Sequence, residues 1–277
     1  MKKLPVTMAV LLAGSFSFSI DVNAKKPKLE YDQDVTPNTI FGSGNTNGFF
    51  TTNRRDGIEV GLRAKTRFPI PDDTDPTISG GDGTYSFPAG DACPGFSFSP
   101  TCLTTPLWSF DWSINVNYDG SADQVFSDFV YELAMDADPG PKTNFTVFDN
   151  ITPSLVAPLF DHAFGNNNTP NDGGTPAENL VTYQNNLDST DQNVAQNSWN
   201  YEFFNNLGTS LEFFDPAIDG NYVICLSVKD PVKGKTLAQS WIQVLVGDTA
   251  KAFKGKRNKC PKRRRNQDDS SDDSSDD

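Results

Sequence analysis

One histidine, His162, is all that this chain of 277 residues carries. That scarcity excludes a zinc or iron centre built from several imidazoles. Cysteine is scarce too: Cys93, Cys102, Cys225 and Cys260 make four, with no C-x-x-C spacing to hold a metal. No G-x-S-x-G elbow occurs, which removes the hydrolases built on it, and no EF-hand loop occurs either. After residue 24 no run is apolar enough to span a bilayer, which takes about 20 residues. No convincing amphipathic helix and no internal repeat are present.

What the chain does have begins with an export signal. Lys2 and Lys3 form a positive start, residues 4–20 are apolar, and Val22-Asn23-Ala24 supplies a cleavage site. The mature protein is therefore expected to begin at Lys25 and to be exported, either extracellular or periplasmic. The cysteines fit an oxidising compartment. Cys93 and Cys102 bracket a turn-rich segment, and a Cys93–Cys102 bridge is expected there. Cys225 and Cys260 leave two readings, a second bridge or a buried thiol at Cys225.

Charge divides the chain. Residues 25–248 hold 12 Lys or Arg against 29 Asp or Glu, a formal −17. Such a body repels nucleic-acid phosphates and anionic membranes and attracts cations. Residues 249–277 carry a basic block, Lys251 to Arg265, followed by aspartates spaced with serines. A stretch so poor in apolar residues is expected to be a disordered tail.

The body reads as strands. Ile58, Val60, Leu62, Ala64, Thr66 and Phe68 alternate with Glu59, Arg63, Lys65 and Arg67, which predicts one apolar and one wet face. Trp108, Phe110, Trp112, Ile114, Val116 and Tyr118 alternate with polar residues in the same way. Aromatics at strict strand spacing read as core rather than as a sugar-stacking surface. Further strands are expected over residues 48–52, 84–87, 126–135, 144–148, 193–204, 210–214, 222–228 and 238–246, separated by Gly, Pro and Asp turns. Only residues 175–186 suit a short helix. About ten strands in residues 25–248 predict an all-β fold, a single β-sandwich of jelly-roll or immunoglobulin-like type.

Four segments are distinctive in their order: Val35-Thr36-Pro37 leading to Ile40-Phe41-Gly42-Ser43-Gly44-Asn45, then 57–65, then 81–87, then Asn193 to Trp199. In these the chain resembles a group of uncharacterised exported bacterial proteins, many of them PEP-CTERM-sorted. The resemblance implies export and a β-sandwich, and it brings no activity with it. The Pro-Glu-Pro motif and terminal hydrophobic helix of that sorting signal are missing.

Few residues invite chemistry. His162 stands beside Asp161 and between Phe160 and Phe164, and reads as structural. Asp136 and Asp138, two apart at a strand end, share a side and form the candidate metal site, with calcium as the cation. Asp119, Asp123 and Asp161 are further oxygen donors. The leading expectation is a non-enzymatic exported protein, a structural or binding component of the cell envelope or extracellular matrix, with an extracellular glycan or an envelope protein as partner. The alternative is a calcium-assisted carbohydrate-binding module, and after it a two-carboxylate glycoside hydrolase. No catalytic residue and no cofactor other than calcium is expected.

Overall fold

Period-two runs rich in aromatic and β-branched residues become strands throughout the computed structural model. It describes residues 28–42, 45–67, 79–91, 105–121, 123–152, 162–204, 208–248 and 260–261. The export signal, the Cys93–Cys102 pair and the charged tail except Cys260 and Pro261 lie outside the described residues.

The described residues form twelve strands: β1 Glu30–Gln33, β2 Phe50–Arg55, β3 Ile58–Thr66, β4 Thr84–Phe87, β5 Trp108–Asn115, β6 Val130–Asp136, β7 Phe145–Phe148, β8 Ala163–Gly165, β9 Thr175–Pro176, β10 Val194–Trp199, β11 Gly220–Lys229 and β12 Thr236–Val246. One sheet has the order β1-β2-β3-β5-β10-β8-β9, the other β4-β12-β11-β6-β7. All pairs are antiparallel except β4 on β12. The fold is an all-β sandwich.

Alternation decides the core. Val60, Leu62, Phe110, Trp112 and Ile114 of the first sheet meet Leu133, Met135, Ile224, Leu226, Ile242 and Val244 of the second in one buried cluster. The aromatic stripe on β5 is therefore core. Trp112 packs edge-on against Trp199 at 5.3 Å, and Trp108 against Tyr201 at 5.1 Å.

Several expectations need correction. Residues 210–214 are not a strand: Ser210–Phe213 form a 3-10 turn, entered through the Thr209 side chain, which accepts from Leu211 N. Leu211 and Phe214 are buried while Phe213 is exposed, a spacing of three that suits 3-10 geometry. Residues 201–204 turn likewise and bury Tyr201 and Phe204, so the expected 193–204 strand stops at Trp199. Phe126–Asp128 form another such turn before β6. Among the described residues the one α-helix, α1, spans Leu180–Leu187 rather than starting at Thr175, because Asn179 caps it by accepting from Val181 N and Thr182 N. Thr175 and Pro176 belong to β9.

The largest correction concerns the expected wet faces of β3 and β5. Glu59, Arg63, Ser109, Asp111, Ser113 and Asn115 are all buried. Residues 34–42 and 45–48, which have no strand pattern of their own, run across this outer face. Gly61 permits the crossing: a Cβ there would come within 2.7 Å of Val35 Cγ1.

A second outer surface is also covered. Cys225, on the outer face of β11, is bonded to Cys260 with Cα atoms 5.8 Å apart, and Ala134, Val223, Phe145 and Trp241 gather around them. Of the two readings left by the sequence, the bridge is the one formed. Cys260 thereby belongs to the folded body rather than to a tail beginning at residue 249.

Candidate functional site

The covered face of the first sheet is held by side chains reaching for backbone. Gln196 on β10 accepts from Ile40 N at 2.8 Å and donates to Asn38 O at 2.7 Å. Asn115 donates to Thr36 O, and Glu59 accepts from Thr36 N at 2.7 Å. Such amides suit a segment that lacks a ladder partner, because each offers both donor and acceptor. Burial pushes the Glu59 carboxyl up, opposed by Thr36 and by the Arg54 guanidinium, whose Nε lies 2.6 Å away.

Further along the face the polar groups become charged. Register places Arg63 of β3 and Ser198 of β10 on either side of Asp111 in β5. Asp111 Oδ2 accepts from Arg63 Nε at 2.8 Å and lies 3.0 Å from Lys65 Nζ. Burial alone would raise the Asp111 carboxyl, but Lys65 and Arg63 together hold it below its ordinary value. Arg63 also donates to Thr46 O and Gly48 O, so the ion pair and the covering segment lock each other.

The cover ends near Asn45, and there the face opens into a recess of about 570 Å³. Lys65, Arg67, Ser109, Asn197 and Ser198 supply its polar lining, and Phe41, Ala163 and Pro176 its apolar lining. Lys65 donates to Asn45 Oδ1 and sits 5.4 Å from the centre of the Phe41 ring. The Arg67 guanidinium stacks 5.2 Å over Phe203. Ser109 is 3 % exposed, and its Oγ has no hydrogen-bond partner among the described residues, while the Ser198 side chain hydrogen-bonds the Asp111 carboxylate. The alternation in β3 flagged Arg63, Lys65 and Arg67 only as a solvated stripe, so sequence reasoning passed over this site.

The residues singled out in the sequence lie elsewhere. Asp136 Oδ1 accepts from Asp138 N at 3.1 Å and Asn144 N at 2.7 Å, and Asp138 Oδ1 accepts from Gly140 N at 2.7 Å. Each carboxylate thus closes part of a turn. Burial pushes the Asp136 carboxyl up to about 6. Among the described residues no group of three or more His, Cys, Asp or Glu side chains comes together, so Asp136 and Asp138 have no third acidic ligand. Asp119 accepts from Ser121 N in its own turn, Asp123 is exposed, and Asp161 lies outside the described residues.

His162 is fully buried among Trp112, Phe164, Tyr183 and Trp199. Its Nε2 lies 2.6 Å from Asn150 O, a group that only accepts, so Nε2 carries the proton. Nδ1 then accepts from Asn197 Nδ2, while Asn197 Oδ1 accepts from Ser198 N. Protonating Nδ1 would set two donors against each other, and burial pushes the imidazole down to about 4. Its contribution to stability is present above the ordinary pKa of 6.5 and is lost as pH falls through about 4. Asp136 works the other way: its contribution is present below 3.8 and is lost as pH rises through about 6. The variant His162→Gln isolates the first effect. Urea titrations at pH 7 and pH 4 should show wild type losing about 3 kcal/mol more than the variant over that interval. Equal losses would show that the ring is reached by water.

Searches of protein-family models, curated proteins and solved structures found no match to this chain. Among the described residues no helix is long and apolar enough to cross a membrane.

Proposed function

We propose that the protein is exported and acts as a non-enzymatic binding component of the cell envelope or extracellular matrix. One observation carries the reading: a recess on a rigid sheet presents charged and polar groups whose own partners already fix them. Lys65 and Asp111 form an ion pair, which orients a ligand but leaves neither as a free base. His162 is neutral and sealed in the core, and Asp136 is held against backbone N–H groups. These groups suit recognition better than proton transfer. Lys65 and Arg67 at the opening, set beside the carboxylates of Asp111 and Glu202, favour an oriented polar ligand over unspecific adhesion.

The test is to isolate the exported full chain from its producing cells. Intact mass should place its first residue at Lys25, and the protein should sediment with envelopes or secreted matrix and be released by high salt. Protein that keeps residues 1–24 inside the cell, or that stays free in the medium, would overturn the proposal.

A further inference from the structure

We propose that Lys65 and Asn45 are the two halves of an intramolecular isopeptide bond, a cross-link the chain makes by itself and that ties the covering segment to β3.

Three side chains meet where the cover ends. Lys65 Nζ donates to Asn45 Oδ1 and lies 3.0 Å from Asp111 Oδ2. The amide nitrogen of Asn45 is held in turn, donating to Phe41 O at 3.3 Å and to Gly42 O at 3.0 Å. The Phe41 ring lies 5.4 Å from Lys65 Nζ, so one residue steadies both partners. Asp111 is itself fixed by Arg63 and Ser198. An amine, an amide carbon and a carboxylate are the groups that a transamidation needs. Oδ1 and Cγ are one bond of about 1.23 Å apart, so an amine in contact with Oδ1 is within reach of Cγ.

The surroundings prepare the amine. The Lys65 side chain is 14 % exposed. Burial pulls its ammonium below the ordinary lysine value, and the nearby Arg63 charge adds to this, opposed but not cancelled by Asp111. Lys65 and Arg63 hold Asp111 ionised, so its Oδ2 is ready to accept a proton from Lys65 Nζ. That pair is no free base towards an outside ligand, but the proton it shares is the one this reaction moves.

The step balances with no co-reactant. Asp111 takes a proton from the ammonium, and the freed lone pair attacks Asn45 Cγ. The carbonyl electron pair moves to Oδ1, then returns and expels Nδ2. Asp111 relays two protons in all from the lysine nitrogen to the leaving nitrogen, which departs as ammonium. One C–N bond forms, one breaks, and Asp111 ends as it began, a carboxylate. The new amide keeps one N–H, which still faces Asp111. Groups held in this way react with effective molarities on the order of 10⁵–10⁸ M, which brings so sluggish an electrophile as an amide within range.

Peptide mapping of the exported full chain, after reduction of its disulfides, tests this. Trypsin should release one branched peptide that joins the stretches carrying Asn45 and Lys65, lighter by one ammonia than the two apart and uncut after Lys65. Lys65→Met and Asn45→Ala should each restore the full mass. Asp111→Asn, mapped in its folded fraction, should leave the two stretches unjoined. Asn47 next to Gly48 offers a rival loss of ammonia, since Gly48 N lies 3.0 Å from Asn47 Oδ1. A succinimide formed there joins no second peptide and opens in mild base, which the cross-link survives. Separate peptides at full mass in wild type, or a loss of ammonia confined to Asn47, would overturn the bond. If a variant fails to fold, the wild-type map decides by itself.

Discussion

Asp111→Ala is expected to lower the free energy of unfolding by about 3–5 kcal/mol, the usual cost of removing one partner from a buried ion pair. Asp111 sits in the middle of the first sheet with no exposed surface. The Arg63 and Lys65 side chains, 3 % and 14 % exposed, both lie within 3.0 Å of its Oδ2. Without the carboxylate, two cations face each other, one of them, Arg63, almost fully buried. Arg63 also fastens Thr46 and Gly48, so the covering segment should loosen with it. Urea unfolding at neutral pH measures the loss, and hydrogen exchange over residues 34–48 measures the loosening. The double change Arg63→Met with Asp111→Leu should recover part of the deficit, because the buried guanidinium goes with the carboxylate and only Lys65, at the edge of the recess, is left without its ion-pair partner. A loss below about 1 kcal/mol for Asp111→Ala would show that solvent screens the network.

Cys260→Ala is expected to cost about 4 kcal/mol in the chain-entropy account, because the Cys225–Cys260 bridge closes a loop of sequence separation 35. The melting temperature should fall by roughly 10 °C for a domain of this size. Cys260 is also packed against the outer-face cluster around Ala134, Val223 and Trp241, so some apolar burial goes with it. Scanning calorimetry with and without a thiol reductant gives the comparison. Wild type should shift on reduction by more than the variant, and the difference belongs to this bridge whatever the state of Cys93 and Cys102. Equal shifts in both proteins would mean that the bridge does not constrain the unfolded chain.

Both effects lie where reading the sequence and seeing the fold parted company. Cys225 lies within a run that spells a strand, so a bridge and a buried thiol both suited it, and nothing local chose between them. Asp111 lay on a polar stripe, and a polar stripe on a strand ordinarily faces water. What covers that stripe is residues 34–42 and 45–48, irregular backbone that announces itself by no period. Its hold depends on Gln196, Asn115 and Glu59, from three different strands. Asp136 and Asp138 show a role that spacing alone does not reveal. Two carboxylates on one side of a strand end resemble a cation site, but the turn uses both for its own N–H groups.

By itself the sequence determined the all-β sandwich, most strand positions and which residues line the core. Residues 84–87 form a strand with the expected bounds, and the stripe from Trp108 to Val116 is buried. These follow from alternation, because a strand turns successive side chains to opposite faces and apolar faces must leave water. Short aromatic runs at 201–204 and 210–213 escaped this reading, since a spacing of three needs more length to be told from two. Only the tertiary structure decided which polar face is buried, which cysteines pair and where the recess opens. Each of these depends on what a distant part of the chain lays over a surface. Alternation tells which side chains share a face, but it carries no information about what rests on that face.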